Sequence, residues 1–332
     1  VAFARSTELC FYRFVIFLII LILYPYSRII KFNMPVFNGK CHSKARLVGK
    51  TAVITGCNTG IGKETVLDFY KRGAHVVMAC RDTAKAEIAM KEVQKKCEGQ
   101  EGLGSIVVTK LDLNSLASVR QAAKHILQIE PNIHLLINNA GMMCPQGKTE
   151  DGFETQIGTN HLAPFLFTLL LLPRIIQSKP ARIVNVSSYA HRCKLLLIFR
   201  SYSPWGAYGQ SKLANILFTA ELARKLQGVN VYSLHPGVVN TKLMRTLGDS
   251  YSTSITALMS PMRLFYKSPE SGAQTTIYCA VDEKCAQQTG LYYRLVDILK
   301  QLVGSILKQL GKNIMPFLSR EMRREDRHTQ YA

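Results

Sequence analysis

Apolar runs of five or six residues recur through the middle of the chain, each separated from the next by a stretch of helical character. Thr51–Thr55, Ala74–Ala79, Ser105–Leu111, Ile133–Asn138, Arg182–Ser187 and Val229–Leu234 read as strands, and Gly290–Tyr292 opens a seventh. Between them Gly60–Arg72, Thr83–Lys96, Ser115–Glu130, His161–Gln177 and Ala207–Gln227 read as helices, with Ser115 placed to cap the third of them. Short strands without polar alternation, joined through helices, mark a parallel sheet covered on both faces. The expected fold class is therefore α/β: a doubly wound parallel sheet (Rossmann-type) in a single domain with helices on both faces, spanning residues 45–293. Sheets of this kind bind ligands outside the carboxyl ends of their strands.

The ends are of a different character. Phe14 to Tyr24 is unbroken in apolar residues, with Arg13 before it and Pro25 soon after. That length lies between a signal core and a spanning helix. No small-residue cleavage site comes after it, which favours an uncleaved anchor over a removed signal or a buried helix. The basic residues beyond it, Arg28, Lys31, Lys40, Lys44, Arg46 and Lys50, put the domain after the anchor on the cytosolic side. Residues 1–44 are thus expected to be a membrane anchor and basic linker. The chain opens on Val1, as a fragment or a processed form would. Residues 294–332 form a basic extension in which Leu295, Leu299, Leu302, Ile306 and Leu310 repeat at helical spacing. Such a helix packs on the domain or lies on a membrane surface.

A net charge of +20 favours anionic partners. No zinc-finger spacing or aromatic-rich RNA-binding pattern accompanies it, so nucleic acid is not expected as a partner. The nine cysteines are scattered without a C-x-x-C pair, as in a reduced compartment, and no metal site is expected.

The polar motifs fall at the expected strand ends. Gly56-Cys57-Asn58-Thr59-Gly60-Ile61-Gly62 joins the first strand to the first helix, where glycines let backbone approach a pyrophosphate seated on the helix N-terminus. The spacing is G-x-x-x-G-x-G, not G-x-G-x-x-G. Arg81 ends the second strand, where an acid would hold a ribose 2′-OH and an arginine suits a 2′-phosphate. Asp82, one residue on, argues the other way. Tyr208 and Lys212 are four apart on a helix and share a face, so the ammonium is placed to lower the phenol's pKa toward the range useful for proton transfer.

Taken with Asn138-Asn139-Ala140-Gly141, the glycine turn and Tyr208-Gly209-Gln210-Ser211-Lys212 resemble the short-chain dehydrogenase/reductase family over most of residues 50–240. Met142–Phe153 and Leu213–Leu226 resemble its retinol dehydrogenase branch. The resemblance implies that Asn160, Ser188, Tyr208 and Lys212 are catalytic. Tyr208 would exchange a proton with the carbonyl oxygen, Ser188 would hold that oxygen, and Asn160 would hold a water linked to Lys212. Gly56, Asn58, Thr59, Gly60, Ile61, Gly62, Arg81, Asp112, Asn139, Ala140, Gly141, Tyr208, Lys212, Pro236, Gly237 and Thr241 would bind NADP(H). Ala163-Pro164 departs from the family's usual Gly-His, and the apolar segment Lys194–Phe199 would border the substrate.

The expected activity is NADP(H)-dependent interconversion of a hydrophobic aldehyde or ketone and its alcohol, retinal and retinol leading, with a lipid, steroid or xenobiotic carbonyl as the alternative. The expected place is the endoplasmic reticulum membrane, bound through the N-terminal segment, with the catalytic domain in the cytosol. An NAD-linked dehydrogenase and a non-catalytic dinucleotide-binding protein at a lipid surface are the rivals. Family members often pair through helices, which makes a homodimer the assembly to test.

Overall fold

The computed structural model describes residues 39–192, 202–239, 266–294 and, for the backbone, 297–298. Residues 1–39 and 40–332 form two units, and every described strand and helix belongs to the second. The anchor run, Lys194–Phe199, Thr241 and most of the C-terminal extension lie outside the described residues.

The strands are β1 (Thr51–Thr55), β2 (His75–Cys80), β3 (Ser105–Lys110), β4 (Leu135–Asn138), β5 (Ala181–Val186), β6 (Val229–His235), β7 (Leu291–Arg294) and β8 (Asp297–Ile298). They form one sheet in the order β3-β2-β1-β4-β5-β6-β7-β8. The first seven are parallel, and β8 alone is antiparallel, on β7. After β3 the chain returns to the far side of β1, which leaves a crevice between the ends of β1 and β4, the switch point where such sheets bind ligand.

The helices are α1 (Gly60–Lys71), α2 (Thr83–Lys95), α3 (Leu116–Ile129), α4 (Ala163–Gln177), α5 (Pro204–Lys225) and α6 (Pro269–Val281). Alternate strand residues supply the two cores. Ile54, Met78, Ile137 and Tyr232 pack with Val66 and Phe69 of α1, Val93 of α2 and Ile277 of α6. Val53, Val77, Leu136 and Ile183 pack with Ile126 of α3, Phe167 and Leu171 of α4 and Phe218 of α5. The doubly wound architecture is as the sequence implied.

Several local features differ from the sequence reading. Ser115 stands at the N-cap of α3, but its hydroxyl makes no capping bond. Asp151 Oδ2 accepts the Leu116 N–H instead, at 2.9 Å. The helical stretch expected from His161 starts at Thr155 and passes through a π-helical turn, Gly158–Leu162, before α4. Helix α6 was not expected at all, although Ser268 followed by Pro269 and Glu270 is a helix-start pattern, and Ser268 accepts the Ser271 N–H. At Asp297–Ile298 the backbone is a strand, not the opening of a helix from Leu295, because β7 offers it an open edge. The residues just before β1 are tied to the body: Cys41 N–H donates to Gln274 Oε1 at 3.0 Å, and Arg72 donates to the Ser43 and Ala45 carbonyls.

By length and composition, one described helical stretch, Thr155–Gln177, could cross a membrane. Its Phe167, Leu171 and Ile175 are instead fully buried in the second core.

A ladder of buried amides and hydroxyls joins the sheet centre to α4 and α5. Asn138 Nδ2 donates to Thr168 Oγ1 at 2.9 Å and to Asn185 Oδ1 at 2.8 Å, and Asn185 Nδ2 donates to Thr219 Oγ1 at 2.9 Å. Asn185→Ala strips the second Asn138 amide proton of its acceptor in the dry interior. An orphaned buried donor costs about 1–3 kcal/mol, so urea unfolding should show a loss of at least that size. A change within about 0.5 kcal/mol, the scatter expected of inert surface substitutions, would show that the ladder is not needed.

Candidate active site

The crevice is built from hydrogen bonds between the ends of β1 and β4. Thr55 Oγ1 accepts the N–H groups of Asn139 at 3.1 Å and Ala140 at 3.0 Å. Asn139 Nδ2 returns to the Thr55 carbonyl at 2.9 Å and the Gly56 carbonyl at 3.0 Å. Glycine is required where these segments cross. A Cβ on Gly56, whose φ is +60°, would stand 2.8 Å from Ala140 Cα. A Cβ on Gly62 would stand 2.6 Å from Asn139 Nδ2 and 2.7 Å from Cys57 Cα.

Helix α1 then starts at Gly60 behind Thr59, whose side chain makes no capping bond, and its first turn carries no acid. Its leading N–H groups are left to an anion. The glycine cradle and this uncapped helix start fit a dinucleotide pyrophosphate.

At the end of β2, Arg81 is exposed and its carbonyl accepts Lys110 Nζ at 2.6 Å. Asp82 is already committed. It caps α2 through Lys85 N–H at 3.0 Å and meets Lys85 Nζ at 2.5 Å, which holds its carboxyl below the usual range. Asp112, beyond β3, accepts Asn114 N–H at 3.0 Å and so closes a turn there.

At the other end of the crevice lies α5. Ser203 caps it, Pro204 occupies its first turn, and Tyr208 and Lys212 come one turn apart, 6% and 2% exposed. Lys212 Nζ lies 5.5 Å from the Tyr208 ring centroid and donates to the Val186 carbonyl at 3.0 Å. Ser188 bonds the Tyr208 hydroxyl. Burial nevertheless pushes the phenol up to about 12 against the opposing Ser188 bond. Burial also pushes Lys212 down to about 8. The sequence reading expected Lys212 to lower the phenol. Burial governs both groups.

Asn160 sits in the π-helical turn, 1% exposed. Its Oδ1 accepts Met142 N–H at 2.8 Å, while Nδ2 donates to the Met142 carbonyl at 2.8 Å and to Ser211 Oγ at 3.1 Å. Asn215 Nδ2 donates to the Asn160 carbonyl at 3.0 Å. Asn160 thus pins the loop after β4 to α5. Gly141 lies where a Cβ would come within 3.0 Å of Lys212 Nζ and 3.6 Å of Asn160 Oδ1. His235, at the end of β6, accepts Tyr189 N–H on Nδ1 at 3.2 Å. Burial first, then neighbouring cations, push it down to about 4, so it is neutral before the Pro236-Gly237 turn.

The described residues named from sequence therefore lie beyond the carboxyl ends of β1 to β6, with Asn160, Tyr208 and Lys212 on the helical segments that follow β4 and β5. Sequence reasoning missed Thr55, Ser187, Ser211 and Asn215. Ser187 Oγ donates to the Lys212 carbonyl at 2.7 Å and anchors α5 to β5. Only Thr55, Ser187 and Ser211 had a signal, as neighbours within the motifs. Gly56→Ala tests the cradle: a left-handed backbone costs an alanine about 1–2 kcal/mol before any clash is counted. Nicotinamide dinucleotide titration should show binding lost or weakened at least tenfold, and wild-type affinity would show that the turn does not serve as the cradle.

Residues 50–252 match the short chain dehydrogenase family. The chain is 46% identical over 271 residues to retinol dehydrogenase 11 of Mus musculus, covering 79% of this chain and 83% of that one. It is 46% identical over 276 residues to retinol dehydrogenase 13 of Homo sapiens, covering 80% and 81%. Among solved structures, an uncharacterized protein from Mycobacterium paratuberculosis is 37% identical with a TM-score of 0.56, covering 75% of this chain and 82% of its own. The oxidoreductase yciK of E. coli, 21% identical with a TM-score of 0.60 over 78% and 99% of the two chains, shares the fold. The sheet order, the glycine cradle, the Tyr208/Lys212 face and these matches agree, and the chain belongs to the short chain dehydrogenase family.

Proposed function

We propose that this chain is an NADP(H)-dependent oxidoreductase that interconverts a hydrophobic aldehyde or ketone and its alcohol, with retinal and retinol as the leading pair. The observation that carries the reading is the convergence of Tyr208, Ser188 and Lys212 at the ends of β5 and α5. The retinol dehydrogenases at 46% identity supply the substrate class.

A nicotinamide dinucleotide, when bound, would supply or accept the hydride. Tyr208, neutral well past physiological pH, keeps its proton ready for a carbonyl oxygen. Ser188 steadies the phenol and offers the same oxygen a second hydrogen bond. Lys212, excluded from water, holds a positive charge where the phenolate forms, and there it acts far more strongly than it would in solvent. Asn160 fixes the loop beside Lys212, and its Oδ1 keeps a lone pair for a water that relays the proton outward. Pro236, Gly237 and Thr241 would hold the nicotinamide, and Asp112 would take the adenine side.

The preference for the 2′-phosphate rests on Arg81 and Lys110 at the ends of β2 and β3, with Lys85 in the first turn of α2 beside them. Asp82, the one acid placed to bind a ribose 2′-OH, is spent on capping α2. Residues 11–26 hold the protein at the endoplasmic reticulum membrane with the domain in the cytosol. This placement rests on the apolar run and its basic flank.

Tyr208→Phe keeps the ring and removes the proton donor. Positioned acid catalysis contributes about 10²–10⁴-fold, so kcat should fall at least a hundredfold with little change in NADPH Kd. A folded variant with near wild-type kcat would overturn the mechanism. Arg81→Ala should weaken NADPH about ten- to a hundredfold and leave NADH unchanged, as loss of a charge-assisted bond predicts. Equal loss of both would remove the NADP(H) assignment.

The pH profile follows from the two shifts. Carbonyl reduction needs the phenol protonated, which holds up to about 12, and Lys212 charged, which is lost as pH rises through about 8. The kcat for reduction should therefore be level from pH 6 to 7 and decline above 8. A rate still rising at pH 9 would count against these roles.

A further inference from the structure

Lys267 lies just before α6 and is 8% exposed. Its N–H donates to the Val238 carbonyl at 2.9 Å, and it bridges Val239 in parallel, so it runs alongside the Pro236–Val239 turn. Its stem occupies the space that Gly237 leaves open. A Cβ on Gly237 would stand 3.0 Å from Lys267 Cδ, 3.2 Å from Cε and 3.5 Å from Nζ. Among the described residues its ammonium makes no hydrogen bond or ion pair. Burial lowers the Lys267 pKa, and the charged neighbour acting on it, Arg294, is another cation. Beside it His235 is neutral.

A buried ammonium with no counter-charge among the described residues is costly unless a ligand supplies one. Its position suggests what offsets that cost. Helix α6 begins right after Lys267, and its first turn reaches the glycine-rich turn. A Cβ on Gly272 would stand 2.6 Å from Val239 Cγ2 and 3.1 Å from Ile61 Cγ1. Lys267 is thus set where the nicotinamide-side turn, α6 and the start of α1 meet.

We infer that Lys267 is a cofactor-binding residue whose ammonium serves as counter-charge to the pyrophosphate of the bound dinucleotide. The inference rests on the dinucleotide reading above. It differs from the role given to Arg81, because the pyrophosphate is common to both nicotinamide dinucleotides and the 2′-phosphate is not.

The test is Lys267→Met in the full chain, with binding of NADPH and NADH measured by fluorescence titration and the unliganded Tm measured alongside. Loss of a charge-assisted contact should raise Kd about ten- to a hundredfold for both dinucleotides alike. Binding should also become less sensitive to salt. The unliganded Tm should hold or rise, since a desolvated charge has been removed, while the Tm increase on adding NADPH should shrink. Lys267→Arg should recover part of the affinity, and Lys267→Gln replaces the methionine variant if that one does not fold. Unchanged Kd for both dinucleotides, or a lowered Tm without weaker binding, would overturn the inference and leave the lysine a packing residue. Wild-type protein that binds neither dinucleotide would instead overturn the reading on which the inference stands.

Discussion

At the end of β1 the chain passes so near Ala140 that a Cβ on Gly56 would stand 2.8 Å from its Cα, and a side chain cannot fit there. Most of the site follows from that crossing. Gly56 turns with φ at +60°, Thr55 is left with its hydroxyl facing β4, and Asn139 closes the gap from the other side. Because β1 and β4 are held this tightly, α1 starts with its N–H groups aimed over the crevice and the loop after β4 runs on toward Asn160. A polar brace at a switch point can thus make one rigid floor for both halves of a dinucleotide.

The second half depends on a different brace. Asn160 lies in a π-helical turn, and that extra backbone residue per turn lets its side chain reach Met142 and Ser211 together. Ser187 pins the Lys212 carbonyl and the Val186 carbonyl accepts its ammonium, so α5 is fixed to the end of β5 through both the main chain and the side chain of one residue. Tyr208 inherits its position from these bonds. None of the bracing groups needs to touch a substrate, yet each sets where the phenol stands.

The sheet was legible in the sequence because burial on both faces leaves continuous apolar runs, and periods survive without knowledge of partners. The motif residues were legible because glycine at a crossing and a Tyr-Lys pair on one helix face are local requirements. What was not legible depended on distant partners. Helix α6 reads PESGAQTTIYCAV, buried nearly all round and interrupted by Gly272 and two threonines, so it shows no apolar stripe. The π-helical turn depends on backbone bonding that residue types do not announce. Asp82 looks like a rival for the ribose until its bonds to Lys85 are seen. Ser115 looks like a cap until Asp151, distant in sequence, takes the bond.

Burial acts on the crevice in one direction. It raises the Tyr208 phenol, lowers Lys212 and lowers Lys267, so desolvation disfavours each of these charges. The groups kept there nonetheless share one electrostatic character: two ammoniums and the uncapped N–H groups of α1. Such a set opposes folding in isolation, and the bonds around Thr55, Asn160 and Ser187 must hold it together. On the proposed reading, anionic phosphate relieves the repulsion at one end, and a developing phenolate relieves it at the other. The same desolvation that disfavours each buried charge by itself therefore strengthens the site's hold on the charges that arrive in binding and in the transition state.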